Sequence, residues 1–131
     1  MDDNPSDTSV LTLALSMLDE DVDIEVVTDG QLALEFVHAQ RKIRNPENPC
    51  VIVLDLHLPK HDGIVILQAI RQEPLMRHLH VMVLTGTASR SELAELNRMG
   101  AYYRAKPMSL SGFDELAAEL LSLCKGMRAA A

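Results

Sequence analysis

Three residues of complementary chemistry stand at the ends of three short, strand-like runs. Asp55 follows Val51-Ile52-Val53-Leu54, Thr85 follows Val81-Met82-Val83-Leu84, and Lys106 follows the run from Tyr102 to Ala105. Asp2 and Asp3 stand just before the first helical stretch and could reach the same edge. An acidic cluster beside one lysine is costly unless something neutralises it, and a hard divalent cation such as Mg²⁺ does so through oxygen ligands. The ammonium and the hydroxyl are then free to hold an oxyanion such as a phosphoryl group. Together these parts suit a carboxylate that accepts phosphate.

The elements that must position these groups can be read from apolar spacing. Asn4-Pro5 reads as a helix start, with Asn as cap and Pro at the first helical position. Val10, Leu11, Ala14, Leu15 and Leu18 then recur at helical spacing, predicting a helix from about Pro5 to Met17. Ile24-Glu25-Val26-Val27 reads as a short strand ended by Asp29-Gly30, and Leu32 to Val37 as a second helix. The polar stretch from Arg41, with Pro46 and Pro49, reads as a loop. Val51 to Leu54 and Val81 to Leu84 are apolar without alternation, as expected of strands covered on both faces. Ile64, Leu67 and Ile70 place a third helix. Ser89-x-x-Glu92 is a capping box that opens a fourth, with Gly100 as its C-terminal stop. Phe113, Leu116, Ala117, Leu120, Leu121 and Cys124 line one face of the last helix. Strands alternating with helices predict a doubly wound parallel α/β sheet, in which ligands sit outside the carboxyl ends of the strands.

Composition narrows the function classes. The chain has 131 residues, 47% of them apolar and 24% charged, which fits one globular domain spanning 1–131. Its 12 basic residues against 19 acidic ones leave a net charge of −7, the wrong balance for direct nucleic-acid binding. No apolar stretch has the length of a membrane span, and the start is acidic, unlike a signal peptide. Only Cys50 and Cys124 occur, which excludes a disulfide framework and predicts a reducing, cytoplasmic setting.

Val51 through Leu58-Pro59-Lys60-His61-Asp62-Gly63 resembles the phosphoacceptor segment of bacterial response-regulator receiver domains of two-component systems. Val83-Leu84-Thr85-Gly86-Thr87 is similar to their switch threonine, and Tyr103-Arg104-Ala105-Lys106-Pro107 to their aromatic switch, lysine and cis-proline. The loop before the acceptor strand and the Leu-His-Leu-Pro-Lys after it are most similar to single-domain regulators paired with phytochrome-type histidine kinases. The resemblance implies a flavodoxin-like fold of strand order 2-1-3-4-5. It implies phosphorelay signal transduction, in which Asp55 takes phosphate from a sensor histidine kinase or phosphotransfer protein and becomes an aspartyl phosphate. Asp3 and Asp55 would ligate Mg²⁺ directly, Asp2 through water, and the carbonyl of His57 would complete the set. Lys106 and Thr85 would bind the phosphoryl oxygens, with the backbone N–H groups of His57 and Gly86 as further donors. Tyr103 would turn inward as Thr85 moves, remaking the surface around the fourth helix and last strand for a downstream protein target.

One departure stands out. The family places an apolar strand before the acidic pair, in the middle of the sheet, and here only Met1 precedes Asp2. Missing upstream residues are expected, and either a defect or a repair should be visible between Ile24 and Val51.

Rival readings stand beside these. Tyr103 reads equally as a switch or as an ordinary strand aromatic. His57 and His61 flank Pro59 in a loop and lack the geometry of a zinc pair. Cys124 reads as core, Lys60 and Arg71 as solvated. The rival function is a pseudo-receiver that binds a partner without phosphorylation. An enzyme turning over small molecules is not expected: aspartyl-nucleophile phosphatases want a second acid where His57 stands, and neither a Walker loop nor a nucleophile elbow is present. Any homodimer is expected to use the fourth helix, last strand and fifth helix, where Tyr102 and Met108 lie.

Overall fold

Apolar residues on both sides of the runs from Val51 to Leu54 and from Val81 to Leu84 give this sheet two cores. A computed structural model describes residues 1, 2, 4–19, 24, 26–39, 51–74, 76, 77 and 79–130. Its elements run α1 (Pro5–Leu18), α2 (Gly30–Ala39), β1 (Val51–Leu54), α3 (Gly63–Gln72), β2 (His80–Thr85), α4 (Arg90–Arg98), β3 (Tyr102–Ala105) and α5 (Leu110–Ala130). The described strands form a parallel sheet in the order β1-β2-β3. Ile52, Leu54, Val81 and Val83 face a core shared with Ala33 and Val37 of α2, Ile66, Leu67 and Ile70 of α3, and Leu96 of α4. Val51, Val53, Met82 and Leu84 face the other way, onto Ala14 and Leu15 of α1 and Phe113, Leu116 and Leu120 of α5. Period-two alternation with apolar residues at every position is what a doubly covered strand requires.

Local signals set the helix ends. The Asn4 side chain accepts from the N–H groups of Ser6 and Asp7, with Pro5 directly after it. Ser89 and Glu92 complete their reciprocal box at 3.2 and 2.9 Å. Gly100, at φ +69°, ends α4: its N–H donates to Asn97 and that of Ala101 to Leu96, pairing two carbonyls that the helix leaves open.

Register then decides where the chemistry falls. Val51 lies opposite His80 and Leu54 opposite Val83, while Thr85 lies opposite Ala105. Asp55, Thr85 and Lys106 therefore leave the sheet along one edge.

Beside β1, Met1 and Asp2 bond to two segments at once. The Met1 ammonium donates to the Val53 carbonyl, the Asp55 N–H to the Met1 carbonyl, and the Asp2 N–H to the Val27 carbonyl, each at 2.9 Å. Met1 and Asp2 thus bond on both sides as a strand would, at the end of β1 nearest Asp55. Val51 and Val53 stay half-buried while Ile52 and Leu54 are buried. The strand expected over Ile24 to Val27 is corrected: residues 24, 26 and 27 are not in the described sheet, and Val27 contributes one carbonyl to Asp2. A strand needs a neighbour along its length, and Asp2 supplies one bond.

Two further expectations change. Arg71 is not a solvated charge. Its guanidinium donates to the carbonyls of Met99, Arg77, Leu79 and Gly100 at 2.8 to 3.2 Å, joining the end of α3 to the end of α4. Burial lowers its pKa from the ordinary arginine value, and the four acceptors compensate the charge. Cys124 is half-buried on α5 and disulfide-bonded rather than a reduced core thiol, so cysteine usage no longer argues for a reducing compartment; Cys50 lies outside the described residues. Lys60 is solvated as expected, its side chain 62% exposed and 3.4 Å from Asp29.

Candidate functional site

Lys106 leaves β3 with its N–H donated to the Thr85 carbonyl at 3.0 Å, which ties the ends of the two strands together. Its ammonium then reaches three carboxylates: Asp55 Oδ2 at 3.0 Å, Asp7 Oδ2 at 3.1 Å and Asp2 Oδ2 at 3.3 Å. Asp2 and Asp55 are buried, and the Lys106 side chain is 19% exposed. Burial pulls the lysine pKa down, but hydrogen bonds to Asp55 and Asp7 and the charges of Asp2 and Asp55 outweigh it. The net effect holds the ammonium well above the ordinary lysine value. The second Asp55 oxygen accepts from the His57 N–H at 3.0 Å. Gly63 shapes the loop beneath, since a Cβ there would stand 2.5 Å from the Asp55 carbonyl oxygen.

The structure thus brings Asp55, Lys106, Asp2 and the His57 N–H together. Asp7, which no motif singles out, joins them; its one signal is an acidic residue in the first turn of α1. Thr85 is buried at the strand end, but its hydroxyl donates to the Thr87 carbonyl at 3.1 Å, not to the acidic cluster. Tyr103 is half-buried against the core that Ile52 and Leu54 face. Gly86 is exposed, with open space where a side chain would begin. Asp3 lies outside the described residues. No described peptide bond is cis, so the expected cis-proline is corrected: Lys106–Pro107 is trans, the isomer favoured by about 0.5–1 kcal/mol. His57 and His61 do not face a common centre: the His57 ring contacts the Thr87 carbonyl and the His61 ring contacts Gln31.

Among the described residues no three His, Cys, Asp or Glu side chains converge as a metal site. The donor chemistry nevertheless fits a hard cation. Asp2 and Asp55 supply oxygens close enough to share one ammonium, and three carboxylates against one lysine leave negative charge unbalanced.

A carboxylate, an ammonium and buried acids thus meet at the carboxyl edge of a parallel α/β sheet, where folds of this class bind their ligands. Residues 1–117 match the family "Response regulator receiver domain", and the chain belongs to it. It is 30% identical over 93 residues to the response regulator Rcp1 of Synechocystis, which covers 71% of this chain and 63% of Rcp1, less than two thirds of that relative's length. Among solved structures it is similar to the phosphorylated cyanobacterial phytochrome response regulator RcpA (TM-score 0.78, 25% identity, covering 89% of this chain and 84% of that one). It is also similar to the bacteriophytochrome response regulator RtBRR (TM-score 0.70, 30% identity, 91% and 74%) and to the Mn²⁺-bound form of Rcp1 (TM-score 0.73, 26% identity, 93% and 88%). No described helix is long and apolar enough to cross a membrane.

Proposed function

We propose that Asp55 is the phosphoacceptor of a single receiver domain spanning 1–131, and that its donor is a phosphohistidine on a sensor histidine kinase or phosphotransfer protein. The observation that carries this reading is Lys106 Nζ at 3.0 Å from Asp55 Oδ2, with the other Asp55 oxygen bound by the His57 N–H. An Asp55 oxygen attacks phosphorus, a new O–P bond forms as the N–P bond breaks, and the imidazole nitrogen leaves with the electron pair and takes a proton from solvent. Lys106 stays charged and holds the phosphoryl oxygens. Asp2 and Asp55 would hold Mg²⁺, joined by Asp3 and the carbonyl of His57. Bound there, the ion neutralises charge between carboxylates and incoming phosphate.

The Thr85 hydroxyl would exchange the Thr87 carbonyl for a phosphoryl oxygen, with the Gly86 N–H as a further donor. Tyr103 would turn inward with it, altering the surface of α4, β3 and α5 for a downstream protein. Exposed Tyr102 and Met108 make that surface the expected homodimer contact. The resemblance to regulators of phytochrome systems supports a phytochrome-type kinase as the donor protein, a cytoplasmic setting and a role as signal carrier rather than enzyme. Asp2 beside Asp55 favours phosphorylation over the pseudo-receiver reading. Intact mass after incubation with acetyl phosphate and Mg²⁺ tests the proposal: one phosphate should add to the native chain and none to Asp55→Asn. Equal addition to both would overturn it.

A further inference from the structure

We infer that Asp7 is a positioning residue of this site, a fixed anchor that aims the Lys106 ammonium at Asp55; the inference rests on the phosphoacceptor reading. Asp7 is the third residue of α1 after its Asn4 cap, where an acidic side chain ordinarily folds back onto the cap's own N–H. Here the Asn4 N–H is taken by Asp2 Oδ1 at 2.9 Å. The Asp7 carboxylate turns instead to Lys106, at 3.1 Å. Both side chains are mostly out of water, 24% and 19% exposed, so the pair is screened less than a surface ion pair.

An ammonium has three N–H donors, and the three carboxylates use them all. Two of those acids have other duties: Asp55 receives the phosphoryl group, and Asp2 is a candidate for the cation. Asp7 has neither. It can keep its bond to Lys106 before and after transfer, leaving two N–H groups directed at Asp55 and what is bound to it. A lysine on a flexible four-carbon stem gains most from such an anchor, because holding it in one geometry otherwise costs side-chain entropy.

The test compares Asp7→Ala, Asp7→Asn and Asp7→Glu in the full chain. Phosphorylation by acetyl phosphate with Mg²⁺ is followed by intact mass across donor concentrations. The Lys106 ammonium is followed by ¹H–¹⁵N NMR in the metal-free, unphosphorylated protein. Asp7→Ala should lower the limiting rate about tenfold, with the half-saturating donor concentration unchanged. It should also lose the slowly exchanging Lys106 signal. Asp7→Asn keeps an acceptor oxygen in nearly the same shape and should recover most of both, with Asp7→Glu between the two. A wild-type rate and an intact Lys106 signal in Asp7→Ala would overturn the inference. Equal impairment of Asp7→Asn and Asp7→Ala would overturn it as well, since charge rather than position would then be what matters. Asp55→Asn run alongside separates the two readings: if it is inert while Asp7→Ala behaves as wild type, the anchor alone fails; if it is phosphorylated, the site itself does.

Discussion

The Thr85 hydroxyl donates to the Thr87 carbonyl at 3.1 Å, and the His57 ring contacts the same carbonyl at 3.2 Å. One acceptor therefore joins the loop after β1 to the loop after β2 and occupies the threonine hydroxyl. Thr85 is 1% exposed, so Thr85→Val removes a buried bond while keeping the shape. A loss of about 0.5–1.5 kcal/mol is expected in urea unfolding. Stability equal to wild type would show that the bond contributes nothing.

Lys106→Ala should destabilise the domain by about 3–5 kcal/mol without metal, because Asp2 and Asp55 would remain buried without their cation. Saturating Mg²⁺, at about 100 times its Kd, should return about 2.7 kcal/mol by binding the folded state. Chemical unfolding with and without Mg²⁺ measures both. Absence of any recovery would count against a cation site on these carboxylates.

The pH dependence of the same lysine has a definite sign. Its folded pKa lies above the ordinary lysine value, since its carboxylate bonds outweigh burial. A raised pKa on a cation stabilises the fold fully below the unfolded pKa, and that contribution is lost as pH rises through the folded one. Lys106 should therefore add no pH dependence around neutrality and a falling limb in strong alkali. Lys106→Met should lack that limb in unfolding curves taken across the alkaline range.

Gly63→Ala should disturb the site from beneath. A Cβ would stand 2.5 Å from the Asp55 carbonyl oxygen and 2.7 Å from the Leu56 Cα, both backbone atoms that cannot swing aside. Overpacking of this kind costs about 1–3 kcal/mol, and acetyl phosphate should label Asp55 more slowly. Gly100→Ala offers the contrast: it has open space but φ +69°, so a loss of about 1–2 kcal/mol should come with unchanged labelling.

Arg71→Lys should be nearly as damaging as Arg71→Ala. A single ammonium cannot span the four carbonyls that the planar guanidinium reaches. A loss of about 1–3 kcal/mol is expected in thermal or urea unfolding for either variant. Full retention in Arg71→Lys would mean that the bonds to Met99 and Gly100 matter little.

Elements whose signals are local were legible in the chain alone. Unbroken apolar runs marked β1 and β2, and the Asn4 cap, the Ser89–Glu92 box and Gly100 marked helix ends, because periodicity and open backbone groups act within a few residues. Asp55 and Lys106 were legible for a related reason, since a parallel sheet delivers its strand ends to one edge. Tertiary structure decided the rest. Asp7 meets Lys106 because Asn4 orients α1 and Asp2 already occupies the cap N–H. Arg71 is half-buried and hydrogen-bonded because the end of α4 packs beside α3 with carbonyls open. Ile24, Val26 and Val27 are strand-forming residues yet are not in the described sheet, because pairing needs a neighbour as well as a propensity. Spacing says which groups share an edge, whereas the partner each one takes depends on helix rotation, strand register and competition for the same few donors.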